Sequence, residues 1–201
     1  MTRRANFRNE QLRYALAQEA ARIMFDQGIE DFLLAKRKAA ERLGVSDVAV
    51  LPRNAEIESA LLDHQRLFHS QQHAESLSKL RHSALKAMRL LETFQPRLVG
   101  SVLAGTATAQ SEIILHVFAD HAERVSLLLD ESGIDHRHAE KKLRYESERQ
   151  ISFPSFKFVA GMHAVEVVTL PIDGLRQPPL SPVDGKPMHR AALAEVEALI
   201  E

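Results

Sequence analysis

The sequence predicts an α+β fold, with an N-terminal helical bundle followed by a small mixed-sheet α/β domain. Three observations carry this reading. Apolar residues recur at helical spacing as far as residue 95. Beyond Pro96 they gather into short runs rich in branched side chains. The 201 residues are 45% hydrophobic and 26% charged, a balance that suits one globular domain or two small ones and excludes a disordered chain.

Leu12, Ala15, Leu16, Ile23 and Met24 form one stripe between Asn9 and Gln27, and Gly28 is a natural stop. Phe32, Ala35, Ala39 and Leu43 repeat the spacing up to Gly44. Asn54 suits a cap, and Ile57, Leu61, Leu62 and Phe68 follow it. A fourth helix is expected over 74–94, with Leu77, Leu80, Ala84, Leu85, Met88 and Leu91 on one face and Pro96 after it. Four short-linked amphipathic helices make a bundle over residues 1–95.

The second segment, 96–201, is expected to hold strands at 98–103, 113–119, 141–146, 151–159 and 165–170. A helix over 120–132 should end at Gly133. Five prolines from Pro171 to Pro187 inclusive suggest a strap lying extended over the surface, and a last helix is expected over 189–201.

Composition narrows the function. Lys and Arg number 26 against 27 Asp and Glu, so the formal charge of -1 argues against a general nucleic-acid partner. There is no cysteine, which excludes disulfides, thiolate zinc sites and a thiol nucleophile. No apolar segment is long enough to span a bilayer, and none resembles the core of a signal peptide, so a cytoplasmic protein is expected.

The informative stretch runs Gly100-Ser101-Val102-Leu103-Ala104-Gly105-Thr106-Ala107, then Ser111-Glu112-Ile113-Ile114-Leu115-His116-Val117. An apolar run delivers a Gly-Ser pair, a second glycine follows, and the next strand opens with an acid. This resembles the core signature of the polymerase-beta-like nucleotidyltransferases, of the small stand-alone type, most closely over residues 100–117. In that superfamily a Gly-Ser turn precedes Ser-Asp-Ile-Asp-Leu at a strand start, and the spacing from Ser101 to Glu112 fits without a gap.

The resemblance implies transfer of a nucleoside monophosphate from a nucleoside triphosphate to an acceptor hydroxyl. Two Mg2+ ions held by carboxylates would stabilise the entering and leaving oxygens. Gly100, Ser101 and Gly105 would cradle phosphates. Glu112 would hold a metal, and Glu166, the only acid inside the last expected strand, would hold a metal or activate the acceptor. The sequence departs from the pattern at two positions. The first acid is Glu rather than Asp, and Ile114 stands where the second belongs. His116, two residues on along the same face, is the other conceivable ligand, although imidazole suits magnesium poorly. An alternative is therefore a catalytically degenerate member that binds a nucleotide or a protein.

A third reading is a DNA-binding regulator. Residues 36–46 resemble the first helix and turn of a helix-turn-helix, but Pro52 would interrupt a reading helix starting near Asp47. The pairs His69/His73 and His136/His138 lack a companion acid in a known metal motif. Ser101 lacks the Gly-x-Ser-x-Gly context of a hydrolase nucleophile. The segment 177–185 suits either a polyproline ligand or, more economically, a strap onto its own domain.

Overall fold

The computed structural model describes residues 2–68, 70–146 and 149–200. Among them are seven α-helices and a five-stranded mixed sheet, the α+β class expected. The chain forms two compact units. One runs from the N-terminus through His73 and includes Pro182–Asp184. The other comprises Ala74–Ser181 and Gly185 to the C-terminus.

The first unit is helical. Helix α1 (Thr2–Gln27), α2 (Phe32–Leu43) and α3 (Asn54–Phe68) bury the stripes read from the sequence. Leu16, Ala20 and Ile23 of α1 meet Ala35 and Ala39 of α2 and Ile57 of α3, all with 0% exposure. Each large side chain removed from water in this way contributes about 2 kcal/mol. The Asp31 carboxylate caps α2, accepting from the Leu33 and Leu34 N–H groups at 2.7 and 3.0 Å. Gly44 ends that helix in the left-handed conformation, at φ 64°. A 3-10 turn spans Val48–Val50, and α3 starts only at Asn54, beyond Pro52. Asn54 is the first helical residue rather than a side-chain cap, and its amide donates to the Pro182 carbonyl at 2.7 Å. Of the pair His69/His73, the first lies outside the described residues.

In the second unit the sheet runs β1-β2-β5-β4-β3: β1 (Arg97–Val99), β2 (Ile113–Phe118), β5 (His163–Leu170), β4 (Gln150–Ala160) and β3 (His136–Arg144). Strand β1 is antiparallel to β2, β2 parallel to β5, and β5, β4 and β3 are successively antiparallel. Alternation along the strands gives the sheet two faces. One face holds Ile113, Leu115, Val117, Val165, Val167, Phe156 and Phe158. It packs against Leu80, Ala84 and Met88 of α4 (Ser70–Leu90), against Val125 and Leu129 of α6 (Glu123–Glu131), and against Val196 of α7 (Leu193–Ala198).

Several expected elements take a different form. The apolar run 98–103 is a strand only to Val99. Gly100, at φ 76°, breaks it, and a single turn, α5 (Gly100–Ala104), follows, closed by Gly105 at φ 85°. Strand β3 starts at His136 rather than Lys141, because an edge strand can be polar on both faces and leaves no alternation to read. Helix α7 starts at Leu193 rather than His189, because Ala191 exchanges backbone hydrogen bonds with Leu98 at 2.9 and 3.0 Å and extends along β1. The proline-rich segment divides between the units, with Pro182–Asp184 in the first and the remainder in the second. Ile172–Leu175 form a 3-10 turn whose Gly174 and Leu175 carbonyls accept from Arg190 at 2.8 and 2.7 Å.

Candidate functional site

The other face of the sheet is divided. At one end Phe118, Leu143, Val168 and Leu170 form a small cluster with Tyr145, Phe153 and Leu175. Toward the other end the registers place Val99, Ile114, Glu166, Lys157 and Arg137 in one row across all five strands. This row carries charge and reaches solvent. Arg137 is exposed, and Lys141 and Lys157 keep about a third of their side chains in water.

The two acids singled out by the sequence converge here. Glu166 sits mid-strand in β5 and is 1% exposed. Glu112 immediately precedes β2. Lys157, from β4, donates to both Glu112 oxygens at 2.9 and 3.0 Å, and its ammonium lies 3.7 Å from Glu166 Oε2. Lys141, from β3, donates to Glu166 Oε2 at 2.6 Å, and the Ser155 hydroxyl donates to Glu166 Oε1 at 3.0 Å. Burial alone raises the Glu166 pKa, but the two ammonium groups and the hydroxyl outweigh it and hold the carboxyl below its ordinary value. Burial likewise lowers Lys157, and its two carboxylates overcome that and raise it. Glu166 and Lys157 are therefore both held in their charged forms at neutral pH.

The glycines expected to share a phosphate cradle lie against different elements. A Cβ on Gly100 would sit 3.7 Å from Ile114 Cδ1 on β2, whereas one on Gly105 would meet Leu77 and Arg81 of α4. The Ser101 carbonyl accepts from the N–H groups of Gly105, Thr106 and Ala107, at 2.9 to 3.2 Å. These backbone bonds organise the turn itself.

A magnesium pair needs several available oxygen ligands. Here all four carboxylate oxygens accept from Lys157, Lys141 or Ser155, and Ile114 faces Glu166 where a further acid would be needed. The place between the carboxylates that a bridging cation would take holds an ammonium. The residues present do not fit the metal pair. Among the described residues, no group of three or more His, Asp or Glu side chains is placed to hold a metal ion.

His116 shares this face but is 1% exposed. Its Nδ1 is buried without a hydrogen-bond partner. Burial, reinforced by the nearby charges of Arg190 and Lys141, lowers its pKa to about 3, so it is neutral. His136 and His138 lie on the opposite face, edge-on to the Phe156 ring at 5.6 and 5.0 Å, and His136 Nε2 is 2.7 Å from the Ser126 hydroxyl. His136 is a packing residue, and His138 lies exposed beside it.

Sequence reasoning found Glu112 and Glu166 but passed over Lys141, Ser155, Lys157 and Arg137. One signal was readable. In Ser155-Phe156-Lys157-Phe158 the polar and aromatic residues alternate, which puts Ser155 and Lys157 on the face opposite the core. No helix among the described residues is long and apolar enough to cross a membrane. Comparison with protein-family models, curated proteins and solved structures finds no match to this chain.

Proposed function

We propose that the sheet-containing unit is a nucleotidyltransferase-like module that binds the phosphates of a nucleotide without a metal pair. One observation carries this reading. The Lys157 ammonium is shared by Glu112 and Glu166, so the cation that would bridge them is part of the chain. Around it the same face bears Arg97, Arg137 and Lys141. Four basic groups against two carboxylates leave an excess of positive charge on a surface that reaches water. A polyphosphate supplies the complementary charge, and lysine and arginine bind it through charge-assisted hydrogen bonds.

The competing reading is an active transferase, favoured by the meeting of two acids from β2 and β5 at one point. Calorimetric titration with ATP and GTP, in magnesium and in EDTA, separates the two. Binding that is indifferent to EDTA and about tenfold weaker in Arg137→Ala and Lys157→Ala is expected. Binding that requires magnesium and is lost in Glu112→Ala, together with transfer of label from an α-labelled triphosphate, would establish the transferase instead. No binding under either condition would remove both readings.

A further inference from the structure

An open groove lies elsewhere on the same unit, between the polar side of α4 and the β4–β5 turn. Its volume is about 750 Å³. From α4 it takes Lys79, His82, Ser83 and Lys86, an i, i+3, i+4, i+7 set that falls on one helical face. From the turn it takes Met162 and His163. The turn is held to the helix by a 2.8 Å hydrogen bond between the Ser83 hydroxyl and His163 Nδ1, across 80 residues of sequence. The groove therefore has a fixed wall on each side.

Its chemistry is specific. Lys79 and Lys86 flank His82 and Ser83 by about one turn on either side, and both are exposed. Glu75 adds one carboxylate at the far end, so the balance is positive. His82 Nδ1 lies 2.8 Å from the Ser78 carbonyl oxygen. A carbonyl can only accept, so Nδ1 carries the hydrogen and a neutral His82 presents Nε2 as an acceptor. Two cationic donors beside a hydroxyl and an acceptor nitrogen match a phosphomonoester. Its oxygens accept from the lysines, and the P–O–H of its monoanion can donate to His82 Nε2. Met162 is 89% exposed, and its thioether offers an apolar, polarisable contact to the ester's organic part.

We propose that this groove is a binding site for a phosphomonoester with an apolar or aromatic substituent. The site is separate from the charged sheet face and does not depend on the reading of that face. The test is a titration of the full chain with phenyl phosphate, followed through the side-chain nitrogen resonances of His82 and His163, with phenol and inorganic phosphate as companions. Saturable shifts at both histidines are expected. Affinity should fall at least about tenfold in the Lys79→Gln/Lys86→Gln double variant and be kept in Lys79→Arg/Lys86→Arg and in Arg137→Ala. The proposal is overturned by the absence of saturable shifts up to about 20 mM ligand, by phenol binding as tightly as its phosphate, or by loss of binding in Arg137→Ala but not in the lysine double variant.

Discussion

Replacing His116 by Leu should make the protein much less sensitive to mild acid. The side chain is 1% exposed and its pKa is lowered to about 3, against about 6.5 for an open histidine. In the pH range between these values the unfolded chain takes up a proton that the folded chain refuses. The stability tied to this group is therefore complete above about pH 6.5 and is lost as the pH falls toward 3. Between pH 7 and pH 5 the loss is about 2 kcal/mol. It is set by the unfolded-state value for as long as the folded value stays below about 4. The measurement is urea unfolding of wild type and His116→Leu at pH 5 and pH 7, a range above the titration of ordinary carboxylates. The wild type should lose about 2 kcal/mol more than the variant on acidification. The variant should also be no weaker at pH 7, because leucine removes a buried nitrogen that has no partner. Equal pH dependence in the two proteins would refute the argument and place His116 in contact with water or with an acid.

Other perturbations test the neighbouring structure. Lys157→Asn removes the ammonium between Glu112 and Glu166 and should create a weak divalent site. Magnesium at ten times its dissociation constant would then raise stability by about 1.4 kcal/mol in the variant and leave the wild type unchanged, as read by thermal melting. Asp31→Ala deletes the cap that accepts from Leu33 and Leu34 and should lower stability by about 1 kcal/mol, visible in chemical denaturation as a shifted midpoint with an unchanged slope. Gly100→Ala meets only ordinary contact with Ile114, but φ 76° is unfavourable to a side chain, so a loss of about 1 kcal/mol is expected in the same assay. A neutral result at Gly100 would show that the turn can relax.

The helices were readable because each buries a stripe of defined period, and Ala35, Ala39 and Ile57 are fully buried where the spacing put them. The sheet was readable where a strand is a near-continuous apolar run buried on both faces, as at Ile113–Phe118 and along most of His163–Leu170. It was not readable at Val102 and Leu103, which are buried in a helical turn and would look the same in a strand. Apolar identity alone does not distinguish the two. Of the site, the acids stood out because Glu112 opens one apolar run and Glu166 interrupts another. Their lysine partners come from β3 and β4, and which charge meets which depends on strand order and register, as in the row from Ile114 through Glu166 and Lys157 to Arg137. The sequence does not state that pairing. The groove at Ser83 and His163 was hidden for the same reason, since its two walls lie 80 residues apart.

Why a carboxylate should be kept at Glu166 at all is a question of energetics. Removing an ion from water carries a desolvation cost of several kcal/mol, and paired ions in protein interiors are commonly no more stabilising than apolar residues of the same volume. Glu166 receives three compensating interactions, from Lys141, Lys157 and Ser155, and the residues before and after it in the strand are valines that suffice for the core. An apolar residue here, continuing the cluster of Val168 and Leu170, would hold the sheet at least as well. Stability therefore does not account for the carboxylate. The proposed phosphate site would account for it, because lysine chains tethered at their tips lose the freedom that would otherwise oppose capture of an anion. In this arrangement Glu112 and Glu166 hold Lys157 and Lys141 in place, and under the proposed phosphate-binding reading the part of each ammonium left facing solvent would meet the phosphates.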